Sequence, residues 1–112
     1  MTLSVVAEPI PLTVGADGVA RVTGTRVTLD TIVRAFKRGD TAGVIAAAYS
    51  TLKLADVYAV ISYYLRHEAE VDSYLRWRQQ QVDQAHQLIA SRSDRQAIRE
   101  RLRARRAQQR NP

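Results

Sequence analysis

VTGTRVTLDTIVRAFKRGD, residues 22–40, places one glycine, three threonines and an arginine directly before an amphipathic run. Thr28 has the residue type and position of a helix N-cap, and Gly39 follows a last turn that carries Lys37 and Arg38. The apolar residues between these ends recur at the spacing of one helix face, so the stretch predicts a helix that buries one stripe. That stripe consists of Leu29, Ile32, Val33 and Phe36.

The glycine and threonines before this helix do not form a phosphate-binding loop. A Walker loop needs two glycines that flank four residues, followed by Lys and Ser or Thr, and residues 23–26 hold one glycine without that spacing. The dinucleotide-binding fingerprint is also absent. Gly24 is therefore explained by a tight bend of the backbone, and Arg26 is the residue that the bend does not require.

A β-hairpin is expected before the helix, over residues 10–23. Residues 12–14 and 19–22 alternate apolar and polar side chains, and residues 15–18, GADG, have turn chemistry. Residues 26–27 are the candidate for a short third extended piece.

Two further helices are expected after Gly39. The second runs from Thr41 or Ala42 to about Ala48, residues 49–52 form a connection, and the third begins at about Lys53. The residues expected to face inward on the second helix are Val44, Ile45 and Ala48. The third helix carries the apolar and aromatic residues Leu54, Val57, Val60, Ile61, Tyr64 and Leu65.

A fourth helix is expected from about Glu68, with apolar positions at alternating steps of four and three. This heptad-like seam comprises Val71, Leu75, Arg78, Val82, Ala85 and Ile89. Residues 91–94, SRSD, are expected to break it, with Ser93 as the cap of a last helix over residues 94–107.

The pattern as a whole predicts a mainly α fold with a small N-terminal β-hairpin. A trihelical (helix-turn-helix) bundle is expected to follow, and after it a long C-terminal helix and a basic tail. The expected parts are a hairpin and turn over residues 1–28, the bundle over 29–66, a long helix that offers an association surface over 67–90, and an arginine-rich arm over 91–112.

The net charge of +6 lies entirely in the arm, which has eight arginines against Asp94 and Glu100. Such a segment expects an anionic partner, either nucleic acid or an acidic protein surface. Arginine favours bidentate recognition of phosphate or carboxylate, and the apolar residues Ile98 and Leu102 favour a protein groove. With so few apolar residues, the arm is expected to fray until it is bound.

Catalysis, metal binding and cofactors are not indicated. The acids near Glu68 lie where the helix dipole favours them, and His67 and His86 have no companion ligands. No set of nucleophile, base and orienting group is present, so an enzyme is not expected. The chain has no cysteine, no basic leader and no apolar stretch of membrane-spanning length, which fits a cytoplasmic protein without membrane attachment.

Three short helices of these lengths suit a DNA-binding unit whose third helix enters the major groove. Lys53 is the only cation at the exposed start of that helix, so from composition alone a plain helical core remains the commoner interpretation. The candidate DNA-binding residues are Thr25, Arg26, Arg34, Lys37, Arg38, Thr51 and Lys53.

Residues from about 12 to 80 resemble the domain of unknown function 433 family, which includes VapB-type antitoxins of bacterial toxin–antitoxin pairs. The matching stretches are DGV at 17–19, GTRVT at 24–28, IV at 32–33, Gly39 before a short helix, YSTL at 49–52, LADVYAVISYYL at 54–65 and EVDSYL at 70–75. The usual Ser or Thr cap before the third helix is replaced by Lys53. The last thirty residues carry no matching pattern.

The resemblance implies a cytoplasmic antitoxin encoded beside a PIN-like ribonuclease toxin. It also implies a small hairpin followed by a homeodomain-like helical bundle. The implied antitoxin is a homodimer that binds operator DNA through the helix-turn-helix and blocks the toxin with a C-terminal arm. The candidate toxin-binding residues are Tyr74, Trp77, Leu88, Arg95, Ile98, Arg99, Leu102 and Arg103. The hairpin edge and the seam near Leu75 are the candidate dimer surfaces.

Two other functions stay open at this point. One is a stand-alone helix-turn-helix DNA-binding transcriptional regulator whose arginine-rich tail contacts phosphates. The other is a structural or assembly domain with the tail as a solubility extension.

Overall fold

The fold is described from a computed structural model that defines the backbone of residues 1–110 and the side chains of residues 1–106. The elements are β1 (Leu12–Val14), β2 (Ala20–Val22), α1 (Leu29–Lys37), α2 (Ala42–Ala48), α3 (Leu54–Arg66) and α4 (Glu68–Arg110). The described chain is therefore mainly helical with a small N-terminal hairpin and a long last helix. The side chain of Arg110 and the last two residues of the expected arm, Asn111 and Pro112, lie outside the described residues.

The hairpin pairs β1 and β2 antiparallel, with Thr13 opposite Arg21. Its turn is held by Asp17, whose carboxylate accepts the amide hydrogen of Val19 at 3.0 Å and forms an ion pair with Arg21 at 3.1 Å. The second strand begins one residue later than expected. The expected third extended piece is an isolated bridge between Arg21 and Thr28.

The predicted ends of α1 are confirmed. Thr28 is the N-cap, and its hydroxyl accepts the amide hydrogen of Thr31 at 3.3 Å. Gly39 follows the helix with φ of 100°, a conformation that L side chains rarely adopt. Of the expected stripe, Leu29, Ile32 and Val33 are buried, and Phe36 is half-buried.

The predicted extent of α2 is confirmed, but two of its three inward residues are wrong. Val44 is 56% exposed and Ala48 is also exposed, whereas Ala42 and Ile45 are buried. Thr41 fixes this phase because its hydroxyl accepts the amide hydrogen of Val44 at 3.2 Å and starts the helix at Ala42. At about 100° per residue, Val44 then lies about 200° from Ala42 around the helix axis.

The apolar residues of α3 lie on two different faces of the helix, one buried and one exposed. Val57, Val60 and Tyr64 are buried, but Leu54 and Leu65 are 47% and 53% exposed. The two leucines lie about 90° to 110° from the buried face around the helix axis, so they cannot enter the same core.

Helix α4 continues through residues 91–94, so the predicted break and the cap at Ser93 are wrong. Residues 91–94 contain neither glycine nor proline. A serine or aspartate in a helix interior costs only about 0.5 kcal/mol relative to alanine, which is too little to end the helix. Of the seam, Val71 is buried and Leu75 is half-buried, whereas Ala85 and Ile89 are exposed.

The chain divides into two compact units, Met1–Leu75 and Arg76–Pro112. The first unit contains the hairpin, α1 to α3 and the start of α4, and its core includes Val22, Ile32, Ile45, Val57 and Val71. The described part of the second unit is the remainder of α4. Among the described helices, none combines the length and the apolar composition that crossing a bilayer requires.

Candidate nucleic-acid interface

A groove of about 630 Å³ lies between the bend after the hairpin and the connection from α2 to α3. It brings together three of the candidate DNA-binding residues, Thr25, Arg26 and Thr51, which are distant in sequence. Thr31 of α1 and Tyr49 of the connection complete its polar and aromatic lining.

The bend places Arg26 in the lining of this groove. Gly24 has φ of 78°, and the Thr25 hydroxyl donates to the carbonyl of Val22 at 2.9 Å and accepts the amide hydrogen of Val27 at 3.1 Å. Both hydrogen-bonding directions of Thr25 therefore serve the backbone. Arg26 is exposed and makes no hydrogen bond or ion pair within the described residues, so its guanidinium is available to an anion.

A second, smaller recess shares Thr31 and Tyr49 with the groove and is also lined by Arg34 and Arg38. Arg34 is exposed there. Arg38 forms an ion pair with Asp40, and this hydrogen bond raises the pKa of the Arg38 guanidinium. Part of the positive charge of this recess is therefore compensated within the protein.

Lys37 lines neither recess, so the structure separates it from the other candidates. Its ammonium group donates to Asp72 at 2.9 Å and lies 5.4 Å from the ring centre of Tyr64, whose hydroxyl donates to the same carboxylate at 3.1 Å. Hydrogen bonding to Asp72, and then to Tyr64, raises the pKa of Lys37. This lysine joins α1, α3 and the first turns of α4.

Lys53 is the N-cap residue of α3, and its side chain makes no capping hydrogen bond, as the departure from the family pattern predicts. It is exposed, and Tyr58 follows it on an exposed part of the helix. Lys53 does not line the groove that contains Thr51.

Sequence reasoning missed Thr31 and Tyr49, the two residues that line both recesses. The sequence does not indicate that Thr31 belongs to the site. Its hydroxyl lies 2.9 Å from the Thr28 hydroxyl, so the helix cap already accounts for a threonine at this position. The sequence does offer an indication for Tyr49, because it is an aromatic residue in a connection where neither a helical nor a strand repeat requires one.

The candidate toxin-binding residues differ in their exposure to solvent. Tyr74 is half-buried in the first unit, and its hydroxyl accepts the amide hydrogen of Ala20 at 2.8 Å. The other seven lie in the second unit and are exposed: Trp77, Leu88, Arg95, Ile98, Arg99, Leu102 and Arg103. Arg99, Leu102 and Arg103 line one shallow recess on the helix surface.

The described residues thus form a small, mainly helical protein with an N-terminal hairpin. Residues 16–64 match the family model described as "Protein of unknown function (DUF433)", which supports the resemblance to that domain family over this segment. The match covers the hairpin turn, α1, α2 and most of α3, and it includes the groove. Comparison with curated proteins and with solved structures gave no match.

Proposed function

We propose that this chain is a cytoplasmic antitoxin that neutralises a PIN-like ribonuclease, encoded by an adjacent gene, by direct binding through its C-terminal region. One observation carries the proposal: over residues 88–103 of α4, exposed apolar side chains accompany arginines that make no hydrogen bond or ion pair within the described residues. A purely electrostatic arm does not need apolar side chains, whereas a helix that docks into a protein groove does. The residues concerned are Leu88, Arg95, Ile98, Arg99, Leu102 and Arg103.

The arginines supply the inhibitory chemistry in this proposal. The resemblance implies a nuclease that holds its metal with clustered carboxylates. Guanidinium groups such as those of Arg99 and Arg103 would form charge-assisted, bidentate hydrogen bonds with these carboxylates and so compete with the metal or the RNA. The carboxylates would stay ionised because each gains a permanent positive partner.

Co-expression with the neighbouring ribonuclease tests this function. The double variant Ile98→Glu/Leu102→Glu should lose both cell protection and co-purification. The matched control, Ala97→Glu/Ala104→Glu, changes the same charge on another face of the same helix and should keep both. Full protection by the first variant, or by a chain that ends at Ser91, would contradict the proposal.

The proposal includes autoregulation, with α1 to α3 acting as a homeodomain-like helix-turn-helix in a homodimer on operator DNA. The guanidinium of Arg26 supports this part, because it is exposed in the groove and makes no hydrogen bond or ion pair within the described residues. Arg26→Gln should weaken binding to the upstream operator and lower the salt slope by about 1. Arg66→Gln removes an exposed arginine outside the groove, at the end of α3, and should leave both unchanged.

The groove also favours a second function, that of a stand-alone DNA-binding transcriptional regulator. A regulator should bind DNA tightly and with steep salt dependence in the absence of any partner. An antitoxin should bind weakly alone and more tightly with its ribonuclease. Titration of the operator with and without the neighbouring protein separates the two.

A further inference from the structure

The C-terminal half of α4 carries a regular row of arginines, which we call the arginine stripe. Its described members recur at steps of three, four, four and three residues: Arg92, Arg95, Arg99, Arg103 and Arg106. At about 100° and 1.5 Å per residue, they fall within about 80° of one another around the axis and cover about 21 Å of helix. The continuity of α4 through residues 91–94 is what places them in one row.

The arginine stripe has no counter-charge within the described residues. All five side chains are exposed, and none makes a hydrogen bond or an ion pair there. The two acids of this segment, Asp94 and Glu100, lie about 140° and 100° from the middle of the stripe around the helix axis. A row of like charges at this spacing favours binding of an external anion of matching length.

The length of the stripe distinguishes two kinds of anionic partner. The ions of a two-metal carboxylate site lie about 3.5–4 Å apart, and one helical turn of about 5.4 Å already spans such a cluster. A nuclease centre would therefore occupy two neighbouring arginines and leave three without a partner. One strand of a nucleic-acid duplex, in contrast, carries a phosphate about every 3.4 Å of axis, or about six phosphates over 21 Å.

We infer that the arginine stripe binds the phosphodiester backbone of a nucleic acid. Arginine suits this ligand because its planar guanidinium donates two parallel hydrogen bonds to phosphate oxygens. Leu102 and Ile98 lie along one border of the stripe, about 60° and 100° from its middle, and leave the stripe itself polar. The inference goes beyond the antitoxin proposal and does not rest on it. Because both use Arg99 and Arg103, nuclease carboxylates and nucleic-acid phosphates would compete for these two side chains.

Salt titration of the full chain tests this inference, with a labelled DNA duplex and a labelled single-stranded RNA as probes in fluorescence anisotropy. Five phosphate contacts contribute a slope of log K against log salt of about −4.5 on the duplex, or about −3.5 on the single strand. Arg99→Gln/Arg103→Gln should make the slope less steep by about 1.8 or about 1.4, respectively. The probe that the full chain binds more tightly at the same salt concentration, and on which the slope changes by the expected amount, identifies the nucleic acid.

Arg101→Gln/Arg105→Gln is the matched control. It removes the same charge from the same segment, but these side chains lie about 160° and 120° from the middle of the stripe. The control should keep the wild-type slope on the preferred probe, and far-UV circular dichroism should show equal helicity in both pairs. Repeating both pairs in the Arg26→Gln background removes the groove contact, so that failure of the stripe and failure of the proposed operator site give different results.

Two outcomes would overturn the inference. If Arg99→Gln/Arg103→Gln and Arg101→Gln/Arg105→Gln reduced the salt slope equally, binding would depend only on the net charge of the segment. Absence of binding to both probes at low salt, together with stripe-dependent binding of polyglutamate, would assign the stripe to an acidic protein surface instead.

Discussion

The hydroxyl of Tyr74 in α4 accepts the backbone amide hydrogen of Ala20 in β2 at 2.8 Å, across 54 residues of sequence. This bond ties the first turns of α4 to the hairpin, and Ala20 itself is buried. Tyr74 therefore has a structural task in the first unit, whatever its part in partner binding.

Tyr74→Phe should lower the free energy of unfolding by about 1–3 kcal/mol, because it leaves the buried amide of Ala20 without an acceptor. Urea unfolding followed by circular dichroism measures the change. Tyr58→Phe removes the hydroxyl of an exposed tyrosine and should stay within about 0.5 kcal/mol of wild type. Equal stability of Tyr74→Phe and wild type would show that this hydrogen bond does not form in solution.

The ion pair between Lys37 and Asp72 should make stability depend on pH in the alkaline range. Because folding raises the pKa of Lys37, its contribution is complete below the unfolded pKa of about 10.4 and disappears as the pH rises through the higher folded pKa. Lys37→Met should cost about 0.2–1 kcal/mol near neutral pH, since the pair is largely solvent-exposed, and less above that range.

Lys53→Met is the control for this pH series, since the side chain of Lys53 makes no hydrogen bond or ion pair within the described residues. The difference in the free energy of unfolding between Lys53→Met and wild type should be the same at neutral and at alkaline pH. A Lys37→Met difference that grows with pH would contradict the direction of the shift.

The two apolar faces of α3 predict opposite outcomes for truncation. Val57→Ala, in the buried face, should lower the free energy of unfolding by at least about 1 kcal/mol, because it leaves a cavity in a close-packed core. Leu54→Ala, although it removes more side chain, should cost less than about 0.5 kcal/mol in the monomer because Leu54 is half exposed. Chemical denaturation at low protein concentration compares the stabilities of the two variants. A larger loss of stability for Leu54→Ala than for Val57→Ala would show that Leu54 belongs to the core.

The continuity of α4 predicts the sign of a substitution at Ser93. In a helix interior, Ser93→Ala should raise helix stability by about 0.5 kcal/mol and increase the far-UV helical signal. If Ser93 instead capped a separate helix, the same change would remove the cap, cost about 1 kcal/mol and decrease that signal.

Much of the local structure could be predicted from the sequence, because short-range chemistry decides it. Thr28 caps α1 with its own hydroxyl, and Gly24 and Gly39 both have the positive φ that their positions suggested. Of the candidate site, Arg26 could be identified as the residue that the bend does not need. The position of Arg26 in a groove could not be predicted, because Tyr49 and Thr51, which also line the groove, are distant from it in sequence.

The sequence by itself determined the order of the elements from β1 to the start of α4, the ends of α1 and α2, the charge of the arm and the spacing of its arginines. Each of these depends on residues within a few positions of one another. Only the tertiary structure decided that Val57 rather than Leu54 enters the core, that Lys37 is paired with Asp72, and that Tyr74 reaches Ala20. A helix with more apolar residues than one face can bury has several possible orientations, and packing against the other elements selects one of them.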